Sequence, residues 1–421
     1  MKIAVLDTTH AGCIIAEHYA LAGHDVTAID VYHTTTTGQP ETYTLTQDAV
    51  GTFDLAVTPV HLPPRYFKNI HAREYISHHE AVGQLLKEKN INAVIFEITG
   101  TRSKTTTALT LSHILQEKYN VTTNTSAGLM FNNEKIAGLS TAPGNILQAI
   151  KLTENLHPEI YIFEISLGGT TQADFGILTT LENDYLIAEA TKPAGSTKIK
   201  TLIGERTCPI INSSTRSQVK KDPKTTFGST EDNVYIKENT LHYSLNKHRG
   251  TMRLPELFYP DAYKTGIEAA VAAALHLMTP DEIQPPLLNF KGVTGRMQLN
   301  SIQGRILIDN SNSGMRSGEL ETLIQQACSY GNVFLIHGED GKVCERLDHE
   351  TSKKIIKKWK HRLIGAALVG PEFEGAGLKL ADVGLKPEGT YTAKNIDDAI
   401  KIALQHTTTG DVILSCVKCF R

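Results

Sequence analysis

A lysine and a threonine at the start of a predicted helix are the residues of this chain most clearly suited to phosphate chemistry. Residues 99–107 read T-G-T-R-S-K-T-T-T and follow the apolar run N-A-V-I-F-E-I at 92–98. A buried strand that ends in a small-residue loop before a helix directs several backbone N–H groups at a phosphate chain. Lys104 would reach the β and γ phosphates, and the Thr105 hydroxyl would hold Mg²⁺. The spacing therefore predicts a nucleotide site.

The loop departs from the usual phosphate-binding pattern at two positions. Ser103 stands just before the lysine, where glycine is usual, and Ile98 stands at the outer glycine position. Glycine is preferred there because it tolerates a positive φ and a close approach to oxygen, whereas a strained residue costs about 1–3 kcal/mol. The alternative interpretation is an ordinary Thr-rich turn in which Lys104 is solvated.

A strand-loop-helix-strand pattern and two histidines characterise the first part of the chain. Strand, loop, helix and strand patterns occupy residues 2–30 and predict a doubly wound unit. Asp30 ends the second strand where a ribose-binding acid would lie, but G-x-G-x-x-G is missing, so we expect a Rossmann-like scaffold for a ligand other than NAD. His10 and His61 would lie at carboxyl ends of parallel strands and are predicted to contact the substrate. Ordinary loop histidines are the alternative.

Two predicted strands of the second doubly wound unit carry acids beyond the phosphate loop. The loop is followed by a helix predicted near 105–119, and buried strands are predicted over 160–170 and 175–185. Each strand is expected to end in a carboxylate, Glu164 or Asp184. Strands that alternate with helices indicate a parallel sheet, so these acids should gather near the phosphate loop.

A third α/β unit follows a helical, largely apolar segment at 266–278 and a linker at 290–296. Its strands are predicted at 305–310, 333–337, 366–369 and 412–415, alternating with helices around Leu320, Ser352 and Ile396.

The composition favours a globular protein that acts on small molecules. The chain has 421 residues, 40% of them hydrophobic, and a net charge of −3. We expect about three domains from this length. The charge gives no basic surface for nucleic acid or acidic membranes. No apolar stretch approaches the ~20 residues that cross a bilayer, and the sequence starts directly with a predicted strand instead of a signal peptide, so a cytoplasmic location is expected.

The six cysteines are too few and too scattered for a disulfide framework in a chain of this length. Cys416 and Cys419 have the spacing of half a zinc motif, and no second half follows. We expect buried or free thiols, with a metal or redox role as the alternative.

The order of these motifs resembles that of the Mur ligase family, ATP-dependent enzymes that join a carboxylate to a nucleophile through an acyl phosphate. The phosphate loop resembles the family's T-G-T-N-G-K-T-T, F-E-I-S-L at 163–167 resembles its E-x-S-S strand, and T-T-L-E-N-D-Y-L at 179–186 resembles T-N-x-x-x-D-H-L. The resemblance implies ATP and Mg²⁺ as cofactors. It also implies a three-domain α/β architecture: a Rossmann-like N-terminal substrate domain (1–88), a central P-loop ATPase domain with a parallel-rich sheet (89–296) and a Rossmann-like C-terminal domain (297–421).

The resemblance also implies roles for individual residues. Arg296, in G-R-M-Q, would reach the nucleotide, and Asp309, in I-D-N-S-N-S-G-M, would contact its ribose or base. A hinge arginine and a turn aspartate are the alternatives. Lys342, in H-G-E-D-G-K, would approach the phosphates and act in catalysis with Lys104 and Glu164. The remaining nucleotide contacts would come from the loop residues Thr99, Gly100, Thr101, Arg102, Ser103, Lys104, Thr105 and Thr106.

The implied metal site has one unusual position. Mg²⁺ would be held by Thr105, Glu164 and Asp184, while Tyr185 replaces the histidine that ligates a second metal in the family. A lysine that is carbamylated in the family would correspond to Lys198 or Lys200, and the sequence does not decide between them.

The substrate is implied by departures from the usual uridine-binding first domain. D-T-T-H-A-G at 7–12, V-H-L-P at 60–63 and N-D-Y at 183–185 are similar to a branch of the family in methanogenic archaea that acts on a nickel tetrapyrrole. This resemblance implies that ATP activates a propionate side chain, which a ring carbon attacks to close a carbocycle. Two alternatives remain: an archaeal peptide ligase of pseudomurein type, and a nucleotide sensor without chemistry, suggested by Ser103 and Tyr185.

Overall fold

The computed structural model describes residues 1–34, 38–89, 91–182, 184–256, 260–341, 346–370 and 389–419. The chain divides into two compact units: residues 1–254 with 263–290, and the described residues among 255–262 and 291–421. The first unit carries two large sheets and the second carries one. The division into three domains at 88/89 and 296/297 stays a prediction.

The first sheet is parallel throughout its described strands, with the order β3-β2-β1-β4-β5. The strand order reverses at β1 and β4, so the loops after these two strands flank a crevice in which open α/β sheets bind ligands. This arrangement is Rossmann-like, as predicted. Its elements are β1 (Lys2–Leu6), α1 (Cys13–Leu21), β2 (Asp25–Ile29), β3 (Thr44–Thr46), β4 (Val50–Thr58), β5 (Asn69–Ser77) and α2 (His78–Lys87).

The second sheet is parallel at its centre and antiparallel at both ends. Its elements are β6 (Val94–Thr99), α3 (Lys104–Leu115), β7 (Val121–Thr125), β8 (Gly128–Phe131), β9 (Glu134–Ala137), α4 (Asn145–Thr153), β10 (Ile160–Glu164), β11 (Phe175–Leu178), β12 (Leu186–Ile187), β13 (Lys192–Pro193), α5 (Ala194–Leu202), β14 (Cys208–Asn212), β15 (Thr225–Phe227), β16 (Val234–Lys237), β17 (Thr240–Leu245), β18 (His248–Arg253), α6 (Pro260–Ala274) and α7 (Pro280–Asn289). The order is β18-β17-β16-β15-β14-β11-β6-β10-β7-β8-β9, and β12 pairs separately with β13.

Two predicted strands of this sheet are shorter than expected. Glu164 is the last residue of β10, as predicted, but β11 ends at Leu178. The expectation that Asp184 ends a strand is therefore wrong, because this residue lies in the loop that follows β11. The loops after β6, β10 and β11 still leave from the same edge, since these strands pair in parallel.

A shared hydrophobic core joins the first two sheets. Ile15 of α1 and Val82 of α2 belong to the same buried cluster as Ile146 of α4 and Tyr161 of β10. Apolar burial of this kind is the main favourable term in folding, at about 25 cal/mol per Å². The first sheet and the phosphate-loop sheet therefore form one packed body.

The second unit is a six-stranded sheet in its described part, with the order β19-β20-β24-β21-β22-β23 and parallel pairing except between β19 and β20. The four strands predicted here are present, and Cys416 and Cys419 are buried in the last one. Its elements are β19 (Gln298–Ile302), β20 (Arg305–Asp309), α8 (Leu320–Ala327), β21 (Val333–Asp340), α9 (His349–Trp359), β22 (Leu363–Val369), β23 (Thr390–Ala393), α10 (Ile396–His406) and β24 (Val412–Cys419). No helix in the described ranges is long and apolar enough to span a bilayer.

Close contact across the shared core depends on Gly83 of α2. A Cβ atom at Gly83 would lie 2.3 Å from the Thr170 carbonyl oxygen. Gly83→Ala should therefore lower the free energy of unfolding by about 1–3 kcal/mol, although alanine is normally the better helix former. Gly318→Ala is the control, because a Cβ atom there meets nothing within 4 Å. Urea unfolding of both variants tests this, and equal stabilities would contradict the packing argument.

A buried acid on α6 should make stability depend on pH. Burial raises the pKa of Glu268 to about 7, although its carboxylate accepts a hydrogen bond of 2.8 Å from Ile236 N–H. The folded state therefore binds a proton more tightly than the unfolded state, and stability falls as pH rises from about 4.5 to 7. We expect Glu268→Gln to gain roughly 1–3 kcal/mol more over the parent at pH 8 than at pH 5. Thermal unfolding at both values measures this gain. The exposed Glu117→Gln is the control, and a pH-independent difference for Glu268→Gln would refute the explanation.

Candidate active site

The loop between β6 and α3 has the conformation of a phosphate cradle. Gly100 has φ +148°, and a Cβ atom there would lie 2.1 Å from Thr179 Oγ1, so a side chain cannot be accommodated without movement. Ser103 has φ +63°, in the left-handed region that favours glycine. The sequence departure at Ser103 therefore keeps the usual backbone conformation at a cost of about 1–3 kcal/mol.

The segment after β11 fixes this loop from one side. Thr101 N–H donates to the Thr180 carbonyl oxygen at 2.7 Å, and the Thr179 hydroxyl donates to the Arg102 carbonyl oxygen at 2.5 Å. Helix α3 begins at Lys104, so its N-terminal N–H groups lie at the end of the loop. Anions bind favourably at such helix ends.

Glu164 lies next to the threonine that was predicted to share a metal ion with it. The Thr105 hydroxyl donates to Glu164 Oε2 at 2.8 Å, and Ser126 N–H donates to the same oxygen at 3.1 Å. Glu164 is buried. Hydroxyl and carboxylate oxygens are ligands that suit Mg²⁺, so this pair fits the predicted cation. Sequence reasoning missed Ser126, which follows β7 at the same edge of the sheet.

A buried lysine lies near the phosphate loop. The Lys198 side chain is only 1% exposed, and its Nζ lies 3.4 Å from the Tyr185 hydroxyl. Burial and the nearby charge of Lys104 lower the pKa of Lys198 to about 7, against the opposing effect of Asp184. Lys200 is exposed instead and binds Glu80 at 3.1 Å. Of the two lysines left open by the sequence, Lys198 is the one beside Lys104 and Asp184.

Asp184 is held by the backbone near this lysine. Its Oδ1 accepts hydrogen bonds from Tyr185 N–H and Gly195 N–H, both at 2.9 Å. The remaining oxygen lies against Gly195, where a Cβ atom would be 2.8 Å from it. The loop thus orients the carboxylate although no strand carries it.

The predicted substrate histidines meet at the crevice of the first sheet. His10 Nδ1–H donates to Asp7 Oδ2 at 2.7 Å, and His61 Nε2 lies 3.4 Å from the same oxygen. Burial raises the pKa of Asp7, but the two histidines outweigh this effect and hold it well below its usual range. The hydrogen bond to Asp7 raises the pKa of His10. Asp7 was missed as a site residue, although it directly follows β1.

Aromatic rings extend this cluster. The ring of His10 packs edge-on against Tyr32 and against His61, with centroids 5.9 and 4.8 Å apart. Tyr32 in turn contacts Tyr66 at 5.5 Å, and the Arg65 guanidinium lies over the Tyr66 ring. The crevice therefore offers several aromatic rings, inclined to one another, next to polar side chains.

His79 of α2 links this sheet to the central one. Its Nε2–H donates to the Ser166 carbonyl oxygen at 2.8 Å, and its ring lies close to Gly168. Burial lowers the pKa of His79 to about 4, and the charge of Lys198 contributes in the same direction. The capping box of Ser77 and Glu80 at the start of α2 was the sequence signal for this helix, and it was overlooked.

The remaining predicted residues lie in the second unit or outside the described residues. Asp309 ends β20 and accepts a hydrogen bond of 3.0 Å from Ser311 N–H, and Arg296 is partly buried. Lys342 lies outside the described residues. Their nucleotide contacts stay predictions, as do the ligand roles of the residues in the first unit.

Comparison with known proteins places the chain in a family. A protein of Methanosarcina acetivorans named coenzyme F(430) synthetase is 34% identical to it, covering 100% of this chain and 99% of the relative. The chain belongs to the coenzyme F(430) synthetase family. A second synthetase of this name, from Methanocaldococcus jannaschii, is 24% identical over 87% of this chain and 91% of its own length. Residues 299–419 match the family described as coenzyme F430 synthetase CfbE, C-terminal domain.

Solved structures confirm the predicted Mur ligase fold. The bifunctional folylpolyglutamate synthase/dihydrofolate synthase of Yersinia pestis superposes with a TM-score of 0.59 at 16% identity, covering 82% of this chain and 90% of that chain. MurF of Acinetobacter baumannii gives 0.58 at 15% identity, covering 86% and 81%. Membership of the coenzyme F(430) synthetase family, together with this fold, supports an ATP-dependent ligase role.

Substitution of Lys104 and of Glu164 should separate the role of the lysine charge from that of the metal-binding carboxylate. Lys104→Ala removes a positive charge from the phosphates, so we expect kcat for ATP hydrolysis to fall by about 10²–10³-fold. Glu164→Gln keeps the shape but weakens the metal ligand, so half-maximal activity should require at least about tenfold more Mg²⁺. Steady-state assays over a Mg²⁺ series measure both effects.

Substitutions of two exposed residues provide controls for these variants. Lys118→Ala removes an exposed lysine just beyond the C-terminal end of α3 that pairs with Glu282 at 2.7 Å, and Glu182→Gln removes an exposed acid beside the loop. Neither change should alter kcat or the Mg²⁺ requirement. Unchanged Mg²⁺ dependence in Glu164→Gln would remove Glu164 from the metal site.

Proposed function

We propose that this chain uses ATP and Mg²⁺ to activate a propionate carboxylate of the nickel tetrapyrrole seco-F(430) acid and then closes a carbocyclic ring, which yields coenzyme F(430). The contact between Thr105 and Glu164 at the mouth of the phosphate loop is the observation that carries the nucleotide part. The two relatives that are named coenzyme F(430) synthetase support coenzyme F(430) as the product.

In the first step a carboxylate oxygen would attack the γ phosphorus of ATP. A P–O bond forms, the bond to the β-phosphate oxygen breaks, and ADP leaves with the electron pair. Both reactants are negative, so positive charge must neutralise their approach. Lys104 would supply it with Mg²⁺ held by Thr105, Glu164 and Asp184, and the predicted Lys342 would assist.

Structures of related fold support the choice of cofactors. One folylpolyglutamate synthase/dihydrofolate synthase structure holds Mn, AMPPNP and L-glutamate, and the Escherichia coli protein FolC was solved with ADP. A nucleotide and a divalent cation are thus accommodated by this fold. Lys198 is our candidate for the lysine that is carbamylated in the Mur ligase family, because it is buried beside Lys104 and Asp184.

In the second step a ring carbon of the substrate would lose a proton and attack the acyl carbon. A C–C bond forms, the acyl C–O bond breaks, and phosphate leaves. The crevice of the first sheet would hold the macrocycle, because Tyr32 and Tyr66 offer aromatic faces and His10 offers an imidazole that can donate or ligate. His61 lies beside His10.

The direct test is incubation of the purified chain with ATP, Mg²⁺ and seco-F(430) acid. We expect one ADP and one phosphate per ring closed, with loss of one water from the organic substrate by mass spectrometry. An amino acid acceptor that stimulates phosphate release, with a mass gain, would establish a peptide ligase instead. ATP binding without stimulation by either acceptor would establish a nucleotide sensor.

The substrate pocket has a separate test. The His10→Ala/His61→Ala double variant should weaken tetrapyrrole binding by at least about tenfold and leave ATP affinity nearly unchanged, because these residues lie on the first sheet. Isothermal titration with each ligand measures both affinities, and His71→Ala is the control because it changes an exposed histidine of the same sheet. Unchanged tetrapyrrole affinity in the double variant would exclude the crevice as the tetrapyrrole-binding site.

A further inference from the structure

The cluster of Asp7, His10 and His61 has the composition of a metal site. One ligand atom from each residue lies within 4.8 Å of the others. We infer that this cluster binds a divalent first-row transition metal of its own, such as Zn²⁺, Co²⁺ or Ni²⁺, through Asp7 Oδ2, His10 Nδ1 and His61 Nε2. Binding of the metal alone requires neither substrate nor nucleotide, so it is tested independently of the proposed function, on which only the use of the site rests.

The donor set selects the class of metal. Two imidazole nitrogens and one carboxylate oxygen suit Zn²⁺, Co²⁺ and Ni²⁺, whereas Mg²⁺ prefers oxygen ligands and keeps several waters. The proposed Mg²⁺ site at Thr105 and Glu164 differs from this cluster because both of those residues offer oxygen atoms only. The two sites of the first unit should therefore discriminate between hard and borderline cations.

The individual atoms of the cluster are placed for ligation. Asp7 Oδ1 accepts a hydrogen bond of 3.2 Å from His10 N–H, which fixes the carboxylate and turns Oδ2 towards the two rings. His61 Nε2 is buried and makes no well-aligned hydrogen bond within the described part of the chain, although it lies 3.4 Å from Asp7 Oδ2. A buried polar atom of this kind costs about 1–3 kcal/mol unless something binds it. A metal ion would use its lone pair and displace the proton of His10 Nδ1.

The backbone of the loop is strained in a way that keeps the carboxylate in place. Asp7 has φ +69° and Ala11 has φ +65°, both left-handed, and a Cβ atom at Gly12 would lie 2.3 Å from the Asp7 carbonyl oxygen. Strain of this kind, of order 1–3 kcal/mol per residue, is found mainly at functional sites. The strained conformation of this loop lowers the stability of the fold, and it holds Asp7 against His10.

Such a site would have a defined chemical use. Three protein ligands leave at least one coordination position open, as in catalytic zinc sites. At this crevice the open position would accept an oxygen or nitrogen donor of the bound substrate and polarise it. The metal would thus orient the substrate at the first sheet while Mg²⁺ serves the phosphates.

Titration of the full chain with Co²⁺ tests the inference. The experiment is run in excess Mg²⁺ without nucleotide, and visible absorption reports nitrogen and oxygen ligation, whereas a thiolate charge-transfer band would reveal cysteine binding. We expect one Co²⁺ per chain, and at least about tenfold weaker binding in both His10→Gln and His61→Ala. His71→Ala should bind as the parent does.

A second measurement does not depend on the folding of any variant. Crystals of the parent protein soaked with Zn²⁺ should give an anomalous difference peak about 2 Å from Asp7 Oδ2 and from both nitrogens. Absence of that peak, or Co²⁺ affinity that is equal in the parent, His10→Gln and His61→Ala, would overturn the inference. A peak at the cysteines alone would do the same.

Discussion

In the proposed reaction two negative groups meet at the phosphate loop, and the first unit is arranged around this electrostatic constraint. A carboxylate cannot attack a polyphosphate unless fixed positive charge is present, and Glu164 adds a further buried negative charge at that place. The parallel pairing of β6, β10 and β11 collects Lys104, Glu164 and the Asp184 loop at one edge. At this edge, burial together with the nearby charge of Lys104 lowers the pKa of Lys198 to about 7.

Features that follow from local sequence or from the topology of parallel sheets could be predicted well. The strand-to-helix phosphate loop, the nearness of Thr105 to Glu164 and the meeting of His10 with His61 follow from one rule, that loops at the carboxyl ends of parallel strands share an edge. The resemblance to the Mur ligases is confirmed by the fold and by relatives of the coenzyme F(430) synthetase family. Buried strands such as β1 and β21 each contain four consecutive apolar residues and are easily recognised.

Features that depend on an unusual backbone conformation or on how helices pack against a sheet could not be predicted. Asp7 lies in a left-handed conformation that its residue type does not announce, and His79 acquires its position only when α2 packs on the central sheet. The antiparallel strands at both ends of the central sheet are only four to six residues long, which gives a weak sequence signal. The prediction that Asp184 ends a strand was wrong because β11 ends at Leu178, and the hydrogen bond from Gly195 N–H holds Asp184 in the loop that follows.

The common core of the first two sheets has a mechanical consequence. Gly83 and Gly144 bring α2 and α4 into backbone contact with Thr170 and Ala11, so the histidine crevice and the ATP cradle are rigidly spaced. In the proposed reaction, a substrate held at the crevice could therefore present its acid group to ATP only if its side chain spans that fixed distance. Such a distance would select among carboxylates by reach, even where several acids on one molecule are chemically alike.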